Sequence, residues 1–525
     1  MRIGIDVGGT NTDAVLMDGR RLVAWAKRPT TRPVETGIMA ALSAVIADSG
    51  IASTDVRIVM IGTTHFTNAF VEARGLLHVG VIRLASPSGE ALPPMIGWPG
   101  PLREAVEGRT FMLPGGYEFD GREIAPFDGA RVREAARQLR RQDLRAIAIS
   151  SAFAPVNSGM EERAAAIVRE EFPTASITLS SSIGRVGLLE RENAAIMNAS
   201  LASLASEVVV SFREALQRLG IKAPFFVTQN DGTLMSADCA ERLPILTFGS
   251  GPTNSIRGAA FLTGRRDAIV IDIGGTTSDI GVLAKGFPRE SSLSADIGGV
   301  RTNFRMPDVL AIGLGGGTRV HLPSRLFDAA GLSDCDFAIG PDSVGLRLPQ
   351  DAYLFGGETL TMSDVAVAAG FADFGDRQRV PSLSQPVRDA ILARARLMIE
   401  SGIDRMKTAS GDVPVVVVGG GAFLLQETPR GASTLERPEH ASVANAIGAA
   451  IAQVGGEVDR VCSYAAGGRE TALAEVRAEA VRVAAAAGAA PATIEIIDMD
   501  EVALNYLPGE TVRVRARAVG NLEFI

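Results

Sequence analysis

The sequence predicts an α/β fold in which two duplicated lobes face each other across a cleft, with a small αβ segment after them. Apolar runs of strand length alternate with amphipathic helical patterns nearly throughout, as in strands layered with helices. One motif occurs twice: Ile3-Gly4-Ile5-Asp6-Val7-Gly8-Gly9-Thr10-Asn11-Thr12-Asp13 lines up with Ile269-Val270-Ile271-Asp272-Ile273-Gly274-Gly275-Thr276-Thr277-Ser278-Asp279. At 525 residues the chain exceeds one ordinary core, since domains of ~100–200 residues imply about two to four of them.

Each copy reads as a buried strand ending in an acid, a glycine turn and a second strand, hence a hairpin. After the first, Ile38, Ala41, Leu42, Val45 and Ile46 form a helical stripe within 34–49, closed by Gly50. Residues 56–61 read as a strand. Gly62-Thr63-Thr64-His65-Phe66-Thr67-Asn68-Ala69 then reads as a hydroxyl-rich loop entering a helix, a position where α/β folds bind ligands. Residues 85–127 are rich in Pro and Gly and predict an excursion from the sheet, after which helix 131–141, strand 146–151 and helix 158–172 resume the alternation.

An apolar helical stretch over 184–219 separates the lobes, giving a first lobe of 1–185, a second of 186–455 and an αβ segment of 456–525. The second lobe opens with a strand at 224–229. Phe248-Gly249-Ser250-Gly251-Pro252-Thr253-Asn254-Ser255 precedes an alanine-rich helix at 256–263, and the second hairpin follows. Two further glycine turns are Gly313-Leu314-Gly315-Gly316-Gly317-Thr318 and Gly419-Gly420-Gly421, the latter preceded by a long helix at 386–407 and a Val-rich strand. The last segment reads as a helix at 469–487 with strands at 492–497 and 511–519.

The hairpin chemistry is that of a phosphate grip. Gly8, Gly9, Gly274 and Gly275 let backbone N–H groups converge on an anion, and Thr10, Thr12, Thr276, Thr277 and Ser278 add hydroxyl donors. Asp6 and Asp272, at the strand ends, are placed to hold waters of a hydrated Mg²⁺, which takes few direct protein ligands. Two such tips facing each other grip a polyphosphate from both sides. Gly419, Gly420 and Gly421 are then either the platform for an adenosine ring or an ordinary strand-to-helix turn.

Other classes are disfavoured. A net charge of −8 and a pI near 5.4 argue against a nucleic-acid or anionic-membrane partner. Cys239, Cys335 and Cys462 are odd in number and far apart, which fits a reducing compartment. Asp6 interrupts any leader-like apolar run, and no apolar stretch reaches the ~18 residues of a membrane span, so the expected location is cytoplasmic. His65, His78, His321 and His440 never fall at i, i+4 spacing, which disfavours a local zinc site. Neither a Gly-x-x-x-x-Gly-Lys-Ser/Thr loop nor a Gly-x-Ser-x-Gly elbow is present.

The order of two phosphate hairpins and then adenosine glycines resembles the superfamily of actin, the large heat-shock chaperones and the sugar kinases, which implies an actin-like duplicated fold with an interlobe nucleotide cleft. Within it, Asp6 to Asp13, Gly62 to Glu72, Ser250-Gly251-Pro252 with Gly258-Ala259, and Asp272 to Asp279 resemble the hydantoinase A and 5-oxoprolinase family over roughly residues 1–450. Asn11 stands where that family often has an aromatic residue, residues 342–357 lack a Pro-Gly-Pro-Ala-Cys run, Glu190-Arg191-Glu192-Asn193 deviates, and the tail is shorter. These departures leave the phosphate donors in place.

The resemblance implies ATP and Mg²⁺ as cofactors and an ATP-dependent hydrolase subunit. It opens a cyclic amide (a hydantoin, 5-oxoproline or a related lactam) through a phosphorylated intermediate, works with a separately encoded second subunit, and is an oligomer. Alternatives within the superfamily are a small-molecule kinase, a carboxylase-type activating subunit, and an ATP-driven chaperone or reactivating factor. On this reading Gly8, Gly9, Thr10, Asn11, Thr12, Gly274, Gly275, Thr276 and Thr277 bind phosphates. Asp13 and Asp279 act at the tips, as braces, acceptor-orienting groups or turn caps. Thr63, Thr64, His65, Asn68, Glu72 and Gly315 to Gly317 face the substrate, with His65 otherwise an ordinary loop histidine.

Overall fold

The two hairpins are built alike. Arg2–Val7 pairs antiparallel with Asn11–Asp18 and parallel with Ile58–Thr63, and Ala268–Ile273 pairs antiparallel with Ser278–Ala284 and parallel with Val413–Val418. Each acidic strand thus lies between its hairpin partner and a parallel strand, the duplication anticipated from the repeat. The computed structural model describes residues 1–31, 34–291, 295–465, 467–504 and 510–523.

Among the described residues the first sheet has nine strands, in the order Glu495–Ala503, Thr511–Gly520, Gln453–Ser463, Thr233–Ser236, Phe225–Thr228, Ile58–Thr63, Arg2–Val7, Asn11–Asp18, Arg21–Pro29. The second holds Phe287–Pro288, Ser278–Ala284, Ala268–Ile273, Val413–Val418 and Ala432–Glu436, with Val309–Ile312 also against Ser278–Ala284.

Helices Val34–Ser49 and Ala202–Arg218 cover the outer face of the first sheet, where Ile38, Leu42, Val209 and Phe212 share a core with Ile3 and Ile5. Helix Gln385–Met406 covers the outer face of the second through Val387, Ile391 and Ile399. Its start is set by Pro386 in the first turn and by Ser384, whose hydroxyl accepts from the Val387 N–H at 3.4 Å.

Two helices fill the space between the sheets. Ser250–Thr263 packs Ile256 and Ala259 on Val270 and Val416, and Ala444–Ala450 packs Ala446 and Ile447 on Val15 and Met17. These helices cross at glycines. A Cβ on Gly258 would stand 1.9 Å from the Ala444 carbonyl oxygen, and one on Gly448 would stand 1.8 Å from that of Asn254. Bare backbone at both points lets the helices pack closely and lets their polar residues reach both sheets.

The lobe boundaries differ from the sequence expectation of 1–185, 186–455 and 456–525. Phe225–Thr228 and Thr233–Ser236, expected to open the second lobe, join the first sheet because Ala202–Arg218 crosses its outer face and returns the chain in register with Val59 to Ile61. The segment from 456 onward does not stand apart: Gln453–Ser463 pairs parallel with Thr233–Ser236, and the remaining strands widen the same sheet. The Pro- and Gly-rich stretch supplies Glu107–Pro114 to a separate four-stranded parallel sheet with Val79–Ser86, Ala146–Ser151 and Ser176–Leu179. Among the described residues no single helix is long and apolar enough to cross a membrane.

Candidate functional site

Strand register decides which side chains share a face. Asp6 lies directly opposite Asp13, and Asp272 directly opposite Asp279. Directly opposed residues point to the same side of a sheet, so each hairpin presents two carboxylates on one face. The tips themselves meet: a Cβ on Gly275 would lie 3.2 Å from Thr10 Oγ1.

Beneath the tips, consecutive residues of helix Ser250–Thr263 serve opposite lobes. Asn254 Nδ2 donates to Asp6 Oδ1 at 3.3 Å and to Thr228 Oγ1 at 3.1 Å, whereas the Ser255 hydroxyl donates to Asp272 Oδ2. From the second inner helix, Asn445 Nδ2 donates to Asp6 Oδ2 at 3.0 Å. A glycine gives each aspartate its room. A Cβ on Gly62 would sit 2.5 Å from Asp6 Oδ1, and one on Gly419, where φ is +90°, would sit 2.1 Å from Asp272 Oδ1. Gly62 lies opposite Asp6 within its strand, whereas Gly419 follows Val418, the residue opposite Asp272, by one position.

The electrostatics favour an incoming cation. Asp6 is 3% exposed, and burial together with neighbouring Asp13 pushes its carboxyl up to about 7; Asp272 adds to the rise and Asn254 opposes it. Burial and then Asp272 carry Asp279 to about 7. Burial also raises Asp272, against the Ser255 hydrogen bond and the Lys27 charge, and raises Asp13, against Lys27. Lys27 Nζ donates to Asp13 Oδ2 at 2.7 Å.

A hydrated Mg²⁺ fits this donor set. Among the described residues no group of three or more His, Cys, Asp or Glu is arranged to hold a metal by itself. Separated carboxylates that accept hydrogen bonds from metal-bound waters suit an ion that keeps most of its waters. The buried Asn254 Oδ1 has no protein partner among the described residues and offers one more acceptor.

Raised carboxyls make stability pH-dependent. The folded chain holds protons on Asp6 and Asp279 up to about 7 where the ordinary value is 3.8, so the nucleotide-free fold is favoured at low pH and loses that contribution as pH rises from about 4 to about 7. Calorimetric melting across this window should show a smaller fall for Asp279→Asn than for the unaltered chain. A steeper fall in the variant contradicts the assignment.

Several expected contacts are reassigned. Thr12, expected to bind phosphate, is fully buried on the face opposite Asp13, its hydroxyl 3.2 Å from that of Thr30. Ser278, expected to add a hydroxyl donor to phosphate, likewise turns inward and donates to the Leu314 carbonyl at 2.5 Å. Gly315, Gly316 and Gly317, expected to face substrate, are buried behind the second tip. Their N–H groups donate to Thr318 Oγ1 at 2.7 Å, the Gly274 carbonyl at 3.0 Å and the Gly275 carbonyl at 2.7 Å, so they buttress the hairpin. Thr63 is 1% exposed, and its hydroxyl accepts from the His65 N–H at 3.1 Å, starting the short helix His65–Val71 instead of facing the cleft.

Thr10 and His65 are half-buried, and Thr276, Thr277 and Asn68 are exposed. Asn11 supplies the carbonyl that closes the first turn, accepting from the Gly8 N–H at 3.0 Å. Thr64 lies against the end of the first acidic strand, its N–H donating to the Val7 carbonyl at 3.3 Å. Gly419 and Gly421 are packed against the second acidic strand, whereas Cβ atoms on Gly9 and Gly420 would meet nothing within 4 Å, leaving open space at the first tip and at the turn of Gly419 to Gly421.

Sequence reasoning missed Lys27, Asn254, Ser255 and Asn445. The signal for Lys27 was the alternation of Arg21–Pro29, which places it opposite Asp13 once that strand is paired. Asn254 and Ser255 sat in a noted motif, and adjacent helical positions diverge by about 100°. Nothing local marked Asn445.

The chain matches the hydantoinase/oxoprolinase N-terminal region over residues 2–172 and the hydantoinase/oxoprolinase domain over residues 191–376. It is 27% identical over 396 residues to the caprolactamase subunit alpha of Pseudomonas jessenii, covering 70% of this chain and 54% of that one. It is 26% identical over 404 residues to the acetophenone carboxylase gamma subunit of Aromatoleum aromaticum, covering 70% and 53%. The chain therefore spans about half the length of the curated relatives it matches. The crystal structure of the ATP-dependent caprolactamase from Pseudomonas jessenii shares its fold, with a TM-score of 0.77 at 21% identity over 100% of this chain and 88% of that one. With both of its large matched regions described in the same terms, the chain belongs to the hydantoinase/oxoprolinase family.

Proposed function

We propose that this chain is an ATP-dependent enzyme subunit that activates a carbonyl by phosphoryl transfer, and that its substrate is a cyclic amide opened through the phosphorylated intermediate. The observation that carries the reading is the meeting of the Thr10 and Gly275 tips above carboxylates drawn from both lobes. Bound Mg·ATP supplies a transferable phosphoryl group and the cation that offsets its charge.

The chain's own residues do the positioning. Thr10, Thr276 and Thr277 donate to phosphate oxygens, and the bare backbone at Gly9 and Gly420 permits close approach by phosphate and by the flat base. Asp6 and Asp272 orient the cation's waters while Asn254, Asn445 and Ser255 fix the carboxylates. Asp279, half-buried and with its carboxyl near about 7, is suited to exchange a proton with the acceptor at neutral pH. Thr64, His65 and Asn68, beyond the first acidic strand, form the acceptor side. The amide carbonyl is a poor electrophile; transfer of the γ-phosphoryl group to its oxygen, with ADP leaving, activates the carbon. One water adds there, the C–N bond breaks with the ring nitrogen leaving as the amine, and a second water splits the resulting acyl phosphate into carboxylate and phosphate.

The relatives named above are an alpha and a gamma subunit, which supports a separately encoded partner for this chain. The likeness to an acetophenone carboxylase subunit favours a second reading, in which the activated carbonyl belongs to a carboxylation substrate. Phosphate release from ATP, measured with a panel of lactams, hydantoins and ketones with and without the partner subunit, separates the readings. Release at least about tenfold above background with a cyclic amide supports the first, and dependence on ketone plus bicarbonate supports the second. A stable phosphorylated product indicates a kinase, and the absence of any nucleotide turnover with every acceptor and the partner removes all three.

A further inference from the structure

Away from the hairpins, a cluster of charged side chains lies where four parts of the chain meet. These are the loop 181–186, the turn at Gln229 to Asp231, the segment at Phe304 and Arg305, and the C-terminal strands Gln453–Ser463 and Thr511–Gly520. They enclose a cavity of about 320 Å³. Its lining combines an apolar set, including Val156, Ile183, Leu246 and Phe304, with four arginines, Arg185, Arg305, Arg460 and Arg513, and three carboxylates, Asp231, Glu457 and Asp459.

Three of these arginines have close carboxylates. Arg305 lies 3.2 Å from Asp231 and 2.5 Å from Glu457, Arg513 Nε donates to Asp459 at 2.8 Å, and Arg460 pairs with Glu475 at 2.9 Å and Glu479 at 3.1 Å. Arg185 differs. Its recorded carboxylate neighbour, Glu290, is 3.5 Å away and already accepts from Arg515 at 2.6 Å and Arg517 at 2.8 Å. Arg185 Nη2 is buried with no hydrogen-bond partner among the described residues.

The position of Arg185 is nonetheless fixed. Its N–H donates to Asn303 Oδ1 at 3.2 Å, and its carbonyl accepts from Arg191 Nη1 at 2.9 Å. Burial and the neighbouring Arg515 weigh against its charge, Glu290 supports it, and Arg513 opposes it again. Nη2 is closed off beside Glu290, whereas the Arg185 side chain as a whole is 28% exposed and lines the cavity. A ligand carboxylate there would strengthen a pairing that the long, shared contact to Glu290 leaves weak.

We propose that this cavity binds a small amphipathic monocarboxylate, with its carboxylate on Arg185 and its hydrocarbon body against Val156, Ile183, Leu246 and Phe304. A single negative charge suits a guanidinium whose ion pair with Glu290 is long and shared with Arg515 and Arg517, and a planar carboxylate matches its geometry. The cavity size and apolar lining suit a body of several carbons. The site is separate from the hairpin cleft but is joined to it by one helical turn. Thr253 Oγ1 donates at 2.8 Å to the carbonyl of Asn230 in the cavity wall, and the next two residues hold Asp6 and Asp272.

Isothermal titration of the full chain without nucleotide, using benzoate and hexanoate against benzamide and hexanamide, tests the assignment. Each acid should bind at least tenfold more tightly than its amide. Arg185→Gln should abolish that preference, and Arg185→Lys should retain part of it. Val156→Trp, which fills the mouth at a partly exposed position and leaves every ion pair intact, should remove binding of both acids. Acids that bind no better than their amides overturn the proposal, as does unchanged acid binding in Arg185→Gln. If Arg185→Gln melts early, Val156→Trp decides: acid binding as tight as in the unaltered chain overturns the site.

Discussion

Replacing Asp272 by Asn should abolish ATP-driven turnover while leaving the fold as stable as before or more so. The carboxylate is held by the Ser255 hydroxyl, and burial raises its pKa, so the folded protein carries it at a cost that an amide avoids. An amide cannot bear the charge that orients a cation's waters, and losing a preorganised group of this kind typically lowers turnover by about 100-fold or more. Asp6→Asn should behave alike in turnover, although its amide must also accommodate the Asn254 and Asn445 donors. Single-turnover phosphate release and thermal melting at pH 8 read the two effects separately. Near-normal turnover in either variant removes the metal assignment.

The second large effect is structural. Gly448→Ala should destabilise the chain by about 3 kcal/mol or more, toward the upper end of what overpacking does to a well-packed interior. The new Cβ would lie 1.8 Å from a backbone carbonyl oxygen, which no rotamer change relieves. The helices must separate, and the carbonyl pushed aside belongs to Asn254, the residue that holds Asp6. Gly258→Ala creates the same collision at the other crossing point. Gly411→Ala, where nothing lies within 4 Å, serves as the control. Urea unfolding with equal midpoints for Gly448→Ala and Gly411→Ala would show that the helices tolerate separation.

The hairpins were legible because repetition, strand-length apolar runs and glycine turns are local signals. So were most helices, including the long one expected at 386–407 and found at Gln385–Met406. Sheet membership was not. Phe225–Thr228 reads the same whether it opens a new lobe or returns to an old one, since only the path of the preceding helix decides. The hydroxyls of Thr12 and Ser278 were misjudged for a related reason. Motif spacing identifies a residue type, but the face it occupies follows from register, and both sit one residue off the acidic face. Gly315 to Gly317 resembled a ligand loop because a turn that props another turn needs the same bare backbone. Asn445 comes from a distant helix whose approach depends on Gly258 and Gly448, a tertiary fact that no window of sequence contains.

The nine-stranded sheet also imposes an order of assembly. Strands of the second sheet lie between residues 268 and 436, so that layer is complete in itself once the ribosome has passed them. The amino-terminal strand waits longer, because the helix that covers one of its faces is Ala444–Ala450 and the strands that widen its sheet come later still. Contacts of such long sequence separation form late. The middle of this polypeptide can therefore close during synthesis while Arg2–Val7 keeps an uncovered face and Thr233–Ser236 an unpaired edge, and the acids of the two hairpins are held in opposition only after Ala444–Ala450 has emerged.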